Sequence, residues 1–101
     1  MTSSRPGGWQ ALMEKGAPEV SKQVSGTQQM ILAEGALSTK TKTLMMLLCD
    51  ALLGHSEGVA NLAKRARSLG ASEGEIQETV AMAFLMGGLP ATVTGANAFR
   101  E

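Results

Sequence analysis

The sequence predicts an all-α protein of five or six helices. Hydrophobic residues make up 44% of the 101 positions, yet only one Trp and two Phe are aromatic. Leu, Met, Ala, Val and Ile must therefore build the core. Ala and Met favour helices, and β-branched runs are few. Apolar residues also recur at helical spacing in segments that glycines separate.

The first helices are short. Residues 1–8 are polar, with clustered Ser, Pro and Gly, and predict a loose start. Residues 9–15 predict a short helix that ends at Gly16. Pro18 suits the first turn of the next helix. We expect Gly26 to interrupt that helix and a further helical stretch over residues 28–34 to stop at Gly35.

The third main helix is apolar on nearly every side. Ser38 is a good N-cap, and residues 44–53 are apolar except for Asp50, before Gly54 ends the helix. Such a helix is too short to span a membrane and should be buried in protein. We expect Asp50 to pair with a Lys or Arg, or to face a water-filled seam, because it is a charge inside an apolar run.

The second half of the chain carries clear start and stop signals. The fourth helix begins near Ser56 and has Gly70 as its stop, with one apolar face formed by Val59, Leu62, Ala63, Ala66 and Leu69. Ser72 and Glu75 form a capping box for the fifth helix, whose apolar face contains Ile76, Val80, Ala83, Phe84 and Gly87. Residues 87–90 should break it, and residues 90–99 form a last helix of small residues.

Two helices of this chain have more apolar surface than one small domain can cover. A chain of 101 residues buries about two-thirds of its unfolded surface, and large exposed apolar patches are rare on monomers. We therefore expect a homo-oligomer with closed symmetry, either a ring or a dimer of rings; the alternative is a monomer with Met-rich surface patches.

Composition argues against several classes of partner. The formal net charge is zero and no basic stripe occurs, so nucleic acid is not expected. From the sequence, no apolar stretch reaches the ~20 residues that are needed to cross a bilayer. Residues 1–8 are polar and lack the apolar region of a secretory signal. The single cysteine excludes an intrachain disulfide and fits a reducing compartment. We expect a cytoplasmic protein with no cofactor, no metal and no membrane partner.

Three motifs together resemble the carboxymuconolactone decarboxylase and alkylhydroperoxidase D superfamily. They are LSTKTKTL at residues 37–44, GASEGEI at 70–76 and MGGLPA at 86–91. The similarity covers roughly residues 17–99 and implies an all-α trimer or hexamer. It divides the chain into an N-terminal segment, 1–16, and a family domain, 17–101.

The peroxidase branch of this superfamily uses a Glu, a Cys-x-x-Cys pair and a His. The Glu and His help lower a thiol pKa, the thiolate attacks the peroxide, and the second Cys resolves the sulfenic acid. Matching the glycines at 54 and 70 to the family places Thr43 at the Glu position, His55 and Gly58 at the two Cys positions, and Leu62 at the His position. The resemblance to the lactone decarboxylase branch implies a Glu and a His near the positions of Gly58 and Leu62. This chain therefore has neither the peroxidase residues nor the decarboxylase residues at the matched positions.

His55, Glu57 and Cys49 are the candidate site residues. His55 is the only histidine and is predicted at the start of the fourth helix, where a neutral ring can act as base or metal ligand. Cys49 is expected to be a buried small hydrophobe, unless it reaches a pocket and His55 lowers its pKa. A metal site of His55, Asp50, Cys49 and Glu57 across subunits is a weaker alternative.

Three functions follow from these residues. The first is a family member with a degenerate thiol site that binds a small molecule without two-cysteine peroxidase turnover; the resemblance alone would imply a peroxiredoxin-type antioxidant. The second is a cysteine-independent acid–base enzyme on a lactone or keto acid, with His55 as base and Glu57 assisting. The third is a peroxidase that uses Cys49 alone.

Overall fold

The computed structural model describes residues 8–101, all of whose regular structure is helical. The helices are α1 Trp9–Gly16, α2 Pro18–Leu32, α3 Thr39–Leu53, α4 Ser56–Ser68 and α5 Glu73–Gly95, followed by a 3₁₀ turn at Ala96–Phe99. The predicted all-α architecture is confirmed. The prediction of a loose start falls on residues of which only Gly8 is described.

Helices α1 and α2 form one compact unit that ends at Ala33. Neither helix has a buried residue. The interruption predicted at Gly26 is wrong, because α2 runs unbroken from Pro18 to Leu32. A single glycine costs a helix only about 1 kcal/mol relative to alanine, and neighbouring turns outweigh that cost. An open groove of about 340 Å³ in this unit is lined by Val20, Gln23, Val24, Thr27 and Gln28.

The second unit, Glu34–Glu101, contains the hydrophobic core. Helix α3 packs against both α4 and α5. Leu47, Val59 and Ile76 are fully buried at its centre, and alanines fill most of the rest of the core. Small side chains allow these helices to approach closely: a Cβ built on Gly87 would lie 2.7 Å from Leu52 Cδ2.

Helix ends in this unit follow the sequence signals. The Ser38 side chain accepts a hydrogen bond from the Thr41 backbone N–H, 3.0 Å away, and both bonds of the Ser72–Glu75 capping box are present. Gly54 and Gly70 have positive φ angles of 82° and 97°. The left-handed conformation that glycine readily adopts therefore ends α3 and α4 at the predicted positions.

Helix α5 is broken where its sequence predicts a break. Gly88 has a non-helical φ of 73° and ψ of −160° inside the helix, two residues before Pro90. The predicted core face is only partly correct, since Ile76, Val80 and Ala83 are buried but Phe84 is 56% exposed. Phe84 directly follows Ala83, so the 100° rotation per residue directs it away from the core.

The segment Glu73–Phe99 is the one stretch of the described chain that is long and apolar enough, by length and composition, to cross a bilayer. The prediction that no apolar stretch is long enough to cross a bilayer is therefore wrong for this segment. Helices that are apolar all round are also typical of buried positions in protein assemblies. The expectation of no membrane partner therefore stays a prediction.

Candidate functional site at the start of helix α4

The chain reverses direction between α3 and α4 through a tight helix-ending motif. Gly54 adopts the left-handed conformation, the Gly54 N–H points to the Ala51 carbonyl, and the His55 N–H donates to the Asp50 carbonyl over 2.9 Å. These two bonds are the Schellman pattern. The pattern brings together Asp50, in the last turn of α3, and His55, the residue that precedes α4.

The side chains of Asp50 and His55 form a hydrogen-bonded pair. His55 Nδ1 lies 2.9 Å from Asp50 Oδ1. An ionised carboxylate can only accept, so Nδ1 must donate, and in the neutral ring Nε2 then carries the lone pair. The His55 side chain is 58% exposed and that of Asp50 24% exposed. This is the arrangement of a histidine base whose Nδ1 is oriented by a carboxylate.

Gly58, in the first turn of α4, makes room for the Asp50 carboxylate. A Cβ built on Gly58 would collide with Asp50 Oδ2 and would lie 2.9 Å from Asp50 Cγ. Residue 58 is the position that the resemblance matches to the second cysteine of the peroxidase branch. In this chain, the carboxylate of Asp50 occupies the space that a side chain at that position would need.

Asp50 is the residue whose role the sequence interpretation missed. It binds His55, whereas we expected a Lys or Arg partner or a water-filled seam. The signal that could have found it is the glycine stop itself, because a helix-ending glycine at position 54 predicts that residues 50 and 55 are neighbours.

Glu57 lies in the first turn of α4, two residues after His55, but its side chain binds elsewhere. Its Oε2 is 2.9 Å from Arg100 Nη2, and Arg100 also contacts the Ser56 carbonyl at 3.4 Å. Within residues 8–101, no hydrogen bond joins Glu57 to His55. The structure therefore brings His55 together with Asp50, and it engages Glu57 with the last residues of the chain. A catalytic role for Glu57 stays a prediction.

Cys49 is exposed in the isolated chain, contrary to the expectation of a buried small hydrophobe. It lies on α3 one turn after Met45 and one turn before Leu52 and Leu53, which are themselves 50%, 41% and 68% exposed. Cys49 therefore lies within an exposed apolar stripe. The described residues provide no hydrogen bond between its thiol and His55.

The remaining two matched positions serve packing. Thr43 is fully buried, and its hydroxyl donates to the Thr39 carbonyl over 2.8 Å. Leu62 is partly buried against the core. Neither side chain is the carboxylate or the imidazole that the peroxidase branch uses at these two positions. Among residues 8–101, no group of three or more His, Cys, Asp and Glu side chains is arranged to hold a metal ion.

The sequence profile of the carboxymuconolactone decarboxylase family matches residues 18–101, which is most of the chain. The chain belongs to the carboxymuconolactone decarboxylase family. The match contains the α3–α4 junction with Asp50, His55 and Gly58.

Two relatives agree with this assignment. The fold is similar to the crystal structure of apo-lpg0406, a carboxymuconolactone decarboxylase family protein from Legionella pneumophila. The TM-score is 0.82 at 30% identity, over 87% of this chain and 79% of that one. In sequence, the chain is 26% identical over 90 residues to the uncharacterized protein MJ1511 of Methanocaldococcus jannaschii, covering 89% of this chain and 84% of the relative.

Proposed function

We propose that this family member works without two-cysteine chemistry, as a homo-oligomer that binds a small molecule beside His55 and moves a proton on it. The observation that carries the proposal is the 2.9 Å hydrogen bond between Asp50 Oδ1 and His55 Nδ1. A chain with one cysteine cannot form the intrachain disulfide of the two-cysteine route. The oriented imidazole supplies a different chemistry at the position matched to the first of those cysteines.

The chemistry that fits this pair is reversible proton abstraction. Nε2 of His55 takes a proton from a carbon next to the carbonyl of a lactone or keto acid, and the electron pair left on carbon becomes an enolate. The ring then holds two protons, and the adjacent Asp50 carboxylate stabilises the imidazolium. Return of a proton from the imidazolium to the same carbon completes the cycle. No electron transfer and no thiol is required.

Deuterium exchange tests this proposal without knowledge of the natural substrate. Pyruvate and γ-butyrolactone serve as probes in heavy water, with exchange at the α-carbon followed by NMR. We expect exchange above the buffer rate with the wild-type protein and with Cys49→Ser, and its loss with His55→Gln. Exchange that persists in His55→Gln would contradict the proposal. Binding of a probe without exchange would leave a ligand-binding function and remove the acid–base one.

A one-cysteine peroxidase is the second candidate, because Cys49 is exposed. The test mixes the protein with tert-butyl hydroperoxide and dithiothreitol. Peroxide consumption that disappears in Cys49→Ser supports this candidate, and its behaviour in His55→Gln shows whether the thiol depends on the imidazole. Consumption no faster than with dithiothreitol alone removes it. The same two variants thus distinguish both chemistries.

The proposed oligomer rests on the large apolar side chains that α3 and α5 expose. They are Met45, Met46, Leu52 and Leu53 on α3, and Met82, Leu85, Met86 and Leu89 on α5. The most exposed of them are 68 to 70% accessible in the isolated chain. A cluster of this kind on a small protein is characteristic of an interface, and we propose a second copy of the chain as its occupant.

Light scattering on the purified protein tests this assembly. We expect the mass of a trimer or hexamer, and dissociation of that assembly by Leu85→Glu. Asn61→Glu is the matched control, because it adds the same charge at an exposed position of α4. A wild-type monomer at micromolar concentration would contradict the proposal. The cytoplasmic location and the lack of a nucleic-acid partner stay predictions from composition.

A further inference from the structure

Gly58 lies inside a regular helix without a backbone reason to be glycine. It is the third residue of α4, and it is not among the glycines of positive φ, which are Gly54, Gly70 and Gly88. Glycine is the least favourable helix residue apart from proline. The explanation for Gly58 must therefore lie in the space beside it.

That space is taken by the carboxylate of Asp50. A Cβ on Gly58 would collide with Asp50 Oδ2, while Asp50 Oδ1 is the atom bound to His55. The two oxygens belong to one rigid, planar group. Any side chain at position 58 that displaces Oδ2 must also rotate or shift Oδ1 away from its present position.

We propose that Gly58 is a positioning residue for His55, acting through Asp50. Because Gly58 has no side chain, the Asp50 carboxylate can pack against it. In this position the carboxylate holds His55 in the Nδ1–H tautomer, with the lone pair on Nε2. An unrestrained imidazole prefers the opposite tautomer, with the proton on Nε2. The inference rests on the proposed function only in making Nε2 the reacting atom. The effect of Gly58 on the position of Asp50 and on the tautomer of His55 does not depend on any substrate.

The single histidine of the chain allows a direct test. Nitrogen-15 chemical shifts of a neutral imidazole distinguish its two tautomers, and every histidine signal of the untagged full chain comes from His55. We expect mainly Nδ1–H in the wild type and a shift to mainly Nε2–H in Gly58→Ala. Asp50→Ala should give the same shift, and the double variant Gly58→Ala with Asp50→Ala should shift no further.

Gly74→Ala is the matched control. Gly74 lies in the first turn of α5, and the atom that a Cβ there would meet is the Ser72 hydroxyl oxygen, at an ordinary contact distance of 3.7 Å. We expect the wild-type tautomer in this variant. The control therefore separates a general effect of alanine at a helix start from the displacement of Asp50.

Three outcomes would overturn the inference. One is a wild-type tautomer in a folded Gly58→Ala protein. Another is an additional shift when Gly58→Ala is combined with Asp50→Ala. If Gly58→Ala does not fold, Asp50→Ala decides, because it leaves the space open, and an unchanged tautomer there overturns the inference. A wild-type protein that shows the expected tautomers but no deuterium exchange would contradict the proposed function alone.

Discussion

The two helix junctions of the second unit use one backbone motif for two purposes. After α3, Gly54 is followed by His55, whose N–H binds the Asp50 carbonyl; after α4, Gly70 is followed by Ala71, whose N–H binds the Ala66 carbonyl, both over 2.9 Å. The side chains that this motif brings together are a histidine and an aspartate in one case and two buried alanines in the other.

The second junction also has more side-chain hydrogen bonds than the first. Arg67 Nε and Glu73 Oε2 are 2.6 Å apart across it, and Arg67 Nη2 also donates to the Ala98 carbonyl at 3.0 Å. The capping box of Ser72 closes the start of α5, whereas the start of α4 has no side-chain cap. The comparison indicates that a polar pair has replaced the usual hydrophobic contact at the first junction, where chemistry is proposed.

Converting the first junction into the second should give the largest effect. The double variant Asp50→Ala with His55→Ala places alanines at both positions of the motif. We expect α-proton exchange to fall by about 10²- to 10⁴-fold, the range for loss of a general base. The free energy of unfolding should change by less than about 1 kcal/mol, because the pair is partly exposed and alanine favours helix.

Urea denaturation and the deuterium-exchange assay measure these two quantities on the same samples. Ala66→Ser with Ala71→Ser is the reciprocal control, since it adds polar groups to the buried second junction. We expect this control to lose stability and to retain exchange per folded molecule. Loss of stability, rather than of exchange, in the first-junction variant would reverse the comparison.

Alanine at Gly54 and at Gly70, the glycines that end α3 and α4, should lower the free energy of unfolding by similar amounts. The two substitutions should differ in their effect on the pair of Asp50 and His55. Gly54 and Gly70 have φ angles of 82° and 97°, with open space where a Cβ would lie. A side chain in the left-handed region costs about 1–2 kcal/mol, and we expect this loss in both Gly54→Ala and Gly70→Ala. Only Gly54→Ala should change the tautomer of His55, because only that turn holds Asp50 and His55 together.

Thermal unfolding followed by circular dichroism and the nitrogen-15 shifts of His55 test this pair. An altered tautomer in Gly70→Ala would show that the ring responds to general loosening of the fold. The separate behaviour of the two junctions would then have no support.

What the sequence could predict at these junctions was local. Ser38, Gly54, Gly70 and the Ser72 box act within one turn of chain, so their patterns identified the helix ends. Gly26 was misinterpreted because the cost of one glycine is small compared with fifteen residues of helix. The position of Phe84 depends on which side of α5 meets α3, and periodicity along an all-apolar segment cannot decide that.

The candidate site shows the same division. His55 was identified because it is the only histidine and lies at a matched position. Its partner was missed because Asp50 was expected to bind a cation or to face water, and was placed beside His55 only as a metal ligand, while the geometry of the helix end was not considered. Glu57 was chosen for its nearness in sequence, yet its side chain binds Arg100. Contacts across 43 residues, such as this one, leave no trace in local spacing.

Removing the cap of the second junction should have a smaller effect. Ser72→Ala deletes the acceptor for the Glu75 backbone N–H, 3.0 Å away. Substitution of such a cap costs about 1 kcal/mol, so we expect a lower urea midpoint with unchanged exchange. Ser68→Ala is the control, because its hydroxyl only binds the Arg65 carbonyl of its own helix. Equal losses in the two variants would argue against a specific role for the cap.

The smallest effect should be a difference in acid stability at the second junction. The hydrogen bond from Arg67 lowers the pKa of the Glu73 carboxyl below its usual value of 4.5. A carboxyl with a lowered pKa in the folded state stabilises the protein above the pKa of the unfolded chain, and this contribution is lost as the pH falls through the folded value. Glu73→Gln should therefore be less stable than wild type at neutral pH and converge with it below pH 4.5.

Urea midpoints at a series of pH values measure this convergence, and added salt should reduce the difference at neutral pH, because the pair is exposed to solvent. Glu78→Gln on α5 is the control, an exposed carboxyl with no ion pair among the described salt bridges. A constant gap between wild type and Glu73→Gln at every pH would mean that the Arg67 contact acts through packing. The stability of the second junction would then come from the Ser72 cap and the contact between Ala66 and Ala71. A charged side chain would contribute electrostatically only at the first junction.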